Sequence, residues 1–77
     1  MNVQTLNSKL AIVGDVEFCN INNEEGNLFV IVIKNNGEYD SFINSINEIL
    51  ISDALPFFPN VDVLSYANNI LKIQLSK

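Results

Sequence analysis

The sequence has no histidine, no arginine, no tryptophan and a single cysteine, Cys19. Each absence removes a chemistry. Without histidine, the usual general base and the nucleophile triads are missing. Without arginine, no guanidinium fork can clamp a phosphate or carboxylate at two points. A lone cysteine forms no internal disulfide, and with no histidine it cannot build an ordinary structural zinc site within one chain. Cys19 therefore reads as a small apolar strand residue without an activating partner. The three glycines, Gly14, Gly26 and Gly37, stand too far apart to make a phosphate-binding loop. No apolar run approaches the ~20 residues of a membrane span. The opening "MNVQTLNSKL" has neither the basic start nor the apolar stretch of a signal peptide. No Asn-x-Ser/Thr sequon occurs. The expectation is a cytoplasmic, non-catalytic protein that uses no cofactor and no metal.

Positive charge is also scarce. Four lysines face nine carboxylates, giving a net charge of -5 and a pI near 4.2. Phosphate contacts need a basic surface, so direct nucleic-acid binding is not expected. An anionic membrane surface is disfavoured for the same reason. A basic protein partner is allowed, although acidity also keeps a small protein soluble. What is abundant is apolar: 48% of residues are hydrophobic and 17% charged, a globular profile. The 77 residues make one domain. A chain of this size buries only about 60% of its unfolded surface, so its core is small.

Periodicity supplies the elements. Val3, Leu6 and Leu10 fall at helical spacing, with Asn2 as a candidate cap, and predict a short helix over 3–10. Residues 11–21 read as a strand, with Val16 and Phe18 on one face and Glu17 and Cys19 on the other; Gly14 marks a bend or the true start. "NNEEGN" is turn chemistry, and "LFVIVIK", Leu28 to Lys34, follows as a strand rich in β-branched residues. The two strands predict an antiparallel hairpin. Tyr39, Phe42, Ile43, Ile46, Ile49 and Leu50 then form one continuous helical stripe. That helix is predicted over about 40–52, with Asp40 as its cap. "DALPFFPN" stops it, because Pro56 and Pro59 forbid a regular ladder.

The last segment, 61–75, fits two patterns. As a helix it aligns Asp62, Ser65, Asn69 and Lys72. As a hairpin it turns at Asn68-Asn69, sets Tyr66 opposite Leu71 and Leu64 opposite Ile73, and alternates Leu71, Ile73 and Leu75 against Lys72 and Gln74. The hairpin is the preferred reading. The architecture expected is an α+β two-layer domain, hairpin–helix–hairpin, with a short helix in front. The helix stripe covers one sheet face. The other face of Leu28–Ile33 also carries apolar side chains, either Phe29, Ile31 and Ile33 or Leu28, Val30 and Val32. Its cover has three candidate sources: the N-terminal helix, the Pro-Phe-Phe-Pro loop, or a second copy of the chain.

The candidate binding residues are the carboxylates and one aromatic pair. Asp15 and Glu17 are two apart on a strand and face the same way; Glu24 and Glu25 are neighbours in a turn; Glu38 and Asp40 flank the helix start. No pair matches the EF-hand spacing, so solvated surface charge is the plainer reading. Phe57 and Phe58, between the prolines, either plug the end of the core or stand out as an aromatic anchor.

The start "MNVQTLNSKL", the strands with "VIVIKNNGEY" and the helix after them resemble, over about residues 1–50, the layout of small acidic phage anti-CRISPR proteins. The resemblance implies an inhibitor that presents carboxylates as a nucleic-acid mimic to the DNA-recognition groove of a CRISPR effector nuclease. The C-terminal half, which is carboxylate-dense in that family, here holds Asp53 and Asp62, so no individual inhibitory residue is carried over. The function expected is an acidic binding protein that inhibits a basic, nucleic-acid-handling protein. The alternatives are a homo-oligomeric (homodimer) subunit and an immunity protein or antitoxin.

Overall fold

The computed structural model describes residues 2–19 and 28–77; Met1, residues 20–27 and the side chains of Phe18 and Cys19 lie outside that description. The predicted turn over 22–27 therefore lies outside the described residues. The elements run α1 (Val3–Val13), β1 (Gly14–Cys19), β2 (Leu28–Asn35), α2 (Tyr39–Asp53), β3 (Asn60–Ala67) and β4 (Ile70–Ser76). The four strands form one antiparallel sheet in the order β1-β2-β4-β3. This is the α+β domain that the periodicity predicts, and the N-terminal helix is present.

α1 begins where Asn2, in extended backbone, accepts the Thr5 N–H on its side-chain oxygen at 3.1 Å. It runs three residues further than predicted. Ala11–Val13 are helical and not strand, because Leu6, Leu10 and Val13 continue the same apolar stripe. Gly14 ends the helix by donating its N–H to the Leu10 carbonyl and opens β1 at once. Any Cβ at Gly14 would run into the Lys34 carbonyl of the neighbouring strand, so the residue type is fixed by that close approach.

α2 departs from expectation at its cap. Glu38 holds the N-cap position and Asp40 sits in the first turn, with no side chain capping the helix. Asp40 still places negative charge at the positive end of the helix. Phe42, Ile46 and Leu50 are buried, while Tyr39, at the head of the stripe, is half exposed. At the other end Ala54 and Leu55 both donate to the Leu50 carbonyl, and Phe57 and Phe58 to that of Ala54, so the chain turns sharply at Pro56.

Residues 60–76 form the predicted hairpin. Asn68 and Asn69 both have positive φ, 53° and 64°, as a two-residue turn that matches strand twist requires. Tyr66 faces Leu71 as expected. The expected Leu64–Ile73 pair does not form: Val63 faces Ile73, because an irregularity between Val63 and Ser65 inserts Leu64 as an extra residue.

The core lies on one face of the sheet. Phe29, Ile31 and Ile33 of β2 and Leu71, Ile73 and Leu75 of β4 meet Leu6 and Leu10 of α1 and Phe42, Ile46 and Leu50 of α2. α1 packs beside α2 and against β1. Phe58, from the loop after α2, joins the same cluster. Both helices and the Pro-Phe-Phe-Pro loop thus cover the same face, and neither the N-terminal helix nor the loop covers the second one. On that outer face Val30 is buried, Leu28 and Val32 are half-buried and Ile70 is exposed.

Candidate binding surface

The eight residues singled out from the sequence do not converge. Asp15 faces Lys34 and Glu17 faces Val32 across the β1–β2 ladder, on the outer side of the sheet; both are exposed. Glu24 and Glu25 lie outside the described residues. Glu38 and Asp40 are exposed at the start of α2. Asp15 stands at the end of β1 that meets the end of β2, the same end from which the chain leads into α2. The aromatic pair lies at the opposite end and splits. Phe57 is 51% exposed. Phe58 packs on Phe29 with ring centroids 6.4 Å apart, and Lys77 Nζ stands 5.8 Å from its ring centre.

A shallow depression of about 220 Å³ lies between the end of α1 and the start of α2, bordered by Ile12, Glu38, Phe42 and Ser45. Its lining carries one titratable group, Glu38. The hydroxyl-bearing residues Ser41 and Ser45 line the same depression. Among the described residues no three carboxylates or thiols converge on a point where a metal ion would sit. The ion pair described is Lys9–Asp53, 2.7 Å, which joins α1 to the end of α2.

The feature that residue patterns alone do not reveal is β3. It contains Val61, Val63, Leu64 and Tyr66, yet every residue of the strand is exposed. It occupies the sheet edge, so half of its backbone N–H and C=O groups point away from β4. At one end the exposed row continues onto α2 through an edge-to-face contact between Tyr66 and Tyr39, ring centroids 5.1 Å apart. Tyr66 also accepts, on its hydroxyl, a 3.2 Å hydrogen bond from the side-chain amide of Asn35. Asn35 is 5% exposed; its side-chain oxygen accepts the Gly37 N–H, and its own N–H donates to the Asn69 carbonyl at 2.7 Å. One buried amide therefore fixes the end of β2, the lead into α2 and the β3–β4 turn together. The pattern on β3 gives a strand in the sequence; only the strand order shows that it is an edge.

These features define a small α+β domain with two helices on one sheet face and an apolar, aromatic edge. Comparison with protein-family models, with curated proteins and with solved structures gives no match. No helix among the described residues is long and apolar enough to cross a membrane.

Proposed function

We propose that the protein is a non-catalytic binding protein that inhibits a basic, nucleic-acid-handling partner. The observation that carries this reading is the unneutralised charge. Seven of the nine carboxylates are described, all but Glu24 and Glu25, and six of those seven are exposed; Asp53, held by Lys9, is the seventh. Exposed carboxylates on a rigid scaffold attract a positively charged groove, speed encounter and compete with phosphates for the same cations. In its sharper form the reading is a phage anti-CRISPR protein that mimics nucleic acid, supported by the resemblance in layout and by the overall acidity. Affinity capture from the native host, eluted across a salt gradient, tests both forms. A basic nuclease or polymerase that elutes as salt rises is the expected result. A partner whose affinity is indifferent to salt would contradict the electrostatic basis.

A second reading, a homo-oligomeric subunit, draws on the outer sheet face, which neither helix covers and where Ile70 is exposed. Sedimentation over a dilution series tests it. A monomer at every concentration removes it.

A further inference from the structure

The side chains of β3 change period in the middle of the strand. Val61, Val63 and Tyr66 stand opposite Leu75, Ile73 and Leu71, so they share the sheet face on which the helices lie. Asp62 and Ser65, opposite Gln74 and Lys72, take the outer face. The inner row is therefore spaced by two residues and then by three, because Leu64 is inserted. Every residue of the strand is exposed, and an open edge is a template for another strand. An ordinary strand keeps a spacing of two throughout. It fits one half of this edge and falls onto the wrong face beyond Leu64. A second copy of β3, turned about a two-fold axis, carries the same insertion in reverse.

Antiparallel self-pairing over the whole strand has one register. It sets Asn60 opposite the partner's Ala67, Val61 opposite the partner's Tyr66 and Asp62 opposite the partner's Ser65. Inner side chains then meet inner ones, outer meet outer, and the two insertions stand together at the axis. A slip of one residue either way sets Tyr66 against the partner's Asn60 or the partner's Asp62, which belong to the other face. Charge follows the same register. On the outer face Asp62 meets the partner's Ser65, whose neighbour on the next strand is Lys72. Two strand spacings are about 10 Å, a gap that a lysine and an aspartate side chain close over a short serine. On the helix side, Glu38 and Asp40 flank Tyr39, which packs on Tyr66 at 5.1 Å. Lys77 stands over Phe58 at the opposite end of β3, where its carbonyl accepts the Asn60 side-chain amide at 2.9 Å. Antiparallel pairing brings the Glu38–Asp40 corner of each chain to that lysine end of the other. The two-fold axis makes each contact twice, and opposite charges across a strand pair stabilise it. The net charge of -5 on each chain opposes the encounter, and salt of about 0.1 M screens it beyond about 10 Å.

We propose that two copies of the chain pair through β3 about a two-fold axis, joining their four-stranded sheets into one of eight strands. The inference rests on the homo-oligomeric reading above and places its contact at the sheet edge instead of on the outer face. It does not depend on the basic partner. Main-chain hydrogen bonds join the edges, and Val61 of each chain packs on the partner's Tyr66. One strand pair with a single apolar row is a small interface, below the ~1,200 Å² of stable complexes. The dimer therefore forms at about 100 μM, and at a few micromolar the chain is a monomer with β3 open.

The test is sedimentation equilibrium of the full chain at concentrations from about 5 μM to 1 mM, with two charge variants, Asp62→Lys and Lys72→Asp. Both positions are exposed, so each variant keeps the fold. Each sets like charges together twice across the axis and is expected to weaken the dimer roughly tenfold. An equal mixture of the two variants is expected to restore it, because each lysine then meets an aspartate of the other chain. Changes within one chain cannot produce that rescue. Amide shifts that grow with concentration are expected at Val61, Asp62 and Tyr66 of the unaltered protein. A monomer at every concentration overturns both the inference and the homo-oligomeric reading. A dimer that neither variant weakens, with shifts at Val30, Val32 and Ile70 instead, overturns the edge and leaves that reading standing. Weakening by both variants without rescue in the mixture overturns the antiparallel register, and the inference with it.

Discussion

The two arms of the last hairpin have nearly the same pattern and opposite fates. Leu71, Ile73 and Leu75 on β4 stand opposite Tyr66, Val63 and Val61 on β3, so the two rows share one sheet face. Ile73 is 3% exposed and Val63, directly across from it, is 66% exposed. Hydrophobicity does not distinguish them. Position does: β4 is an inner strand beneath the helices, while β3 is the edge strand and meets α2 at its Tyr66 end, against Tyr39 and Phe42. An apolar alternation therefore specifies a strand and its facing, but burial is conferred by the layer above it. The row on β3 is apolar surface that the fold itself does not use, which makes it the natural place for an outside contact.

The strongest way to break this comparison is to make the same change on both arms. Ile73→Thr removes buried methyl groups and puts a hydroxyl in the core, and it is expected to cost about 2–4 kcal/mol. A domain of this length has a total stability of roughly 4–12 kcal/mol, so that loss brings it close to unfolding. Val63→Thr keeps the branched shape on an exposed edge, and it is expected to stay within about 0.5 kcal/mol. Urea denaturation of the two variants measures both. Equal losses would mean that β3 is covered in solution by a second molecule.

How far the sequence could be read follows the same division. The 3.6-residue stripe from Tyr39 to Leu50 and the alternation from Leu71 to Leu75 are long enough to identify their elements, and both hairpins were legible from turn residues and β-branched runs. Boundaries were less so. Ala11–Val13 satisfy either a strand or a helix, and the stripe through Leu6 and Leu10 decided for the helix. The register of β3 failed by one residue because the extra residue, Leu64, is as apolar as its neighbours and leaves no mark in the pattern. The candidate surface was the least legible part. Asp15, Glu17, Glu38 and Asp40 were found by type, but their distribution over two sides of the domain depends on the sheet. The sequence sets Tyr66 opposite Leu71, but no residue in β3 announces that the strand stands at an edge.

Asn35 sharpens the comparison at the point where the two arms join the rest of the domain. Its side chain links Tyr66 on the exposed strand to Gly37 before α2. Asn35→Leu keeps the bulk and removes both bonds, leaving the Gly37 N–H without its acceptor. The expected loss is about 1–2 kcal/mol. It should appear unevenly. Amide exchange is expected to quicken around Tyr66 and Asn69 and to stay slow at Ile31 and Ile73, because the core row does not depend on this amide. Uniform acceleration would show that the edge and the core open as one unit.

The smallest effect concerns the turn that holds the arms together. Asn68 and Asn69 both occupy left-handed backbone, where a side chain is tolerated in asparagine and costs nothing in glycine. Asn69→Gly gives the Asn-Gly pair that this turn type prefers. The gain is offset by the greater freedom of glycine in the unfolded chain, so the net expectation is an increase of about 0.5 kcal/mol or less. The carbonyl of residue 69 still accepts the Asn35 N–H, so nothing else in the corner is disturbed. Because the turn fixes the register of both arms equally, the variant should raise the thermal midpoint without changing the relative exposure of Val63 and Ile73. Solvent-accessibility labelling of the two positions, each replaced by cysteine in a Cys19→Ala background, reads that ratio. If tightening the turn also protected position 63, the exposure of β3 would be a matter of hairpin fraying. If it did not, the exposure belongs to the architecture, and the edge is open by construction.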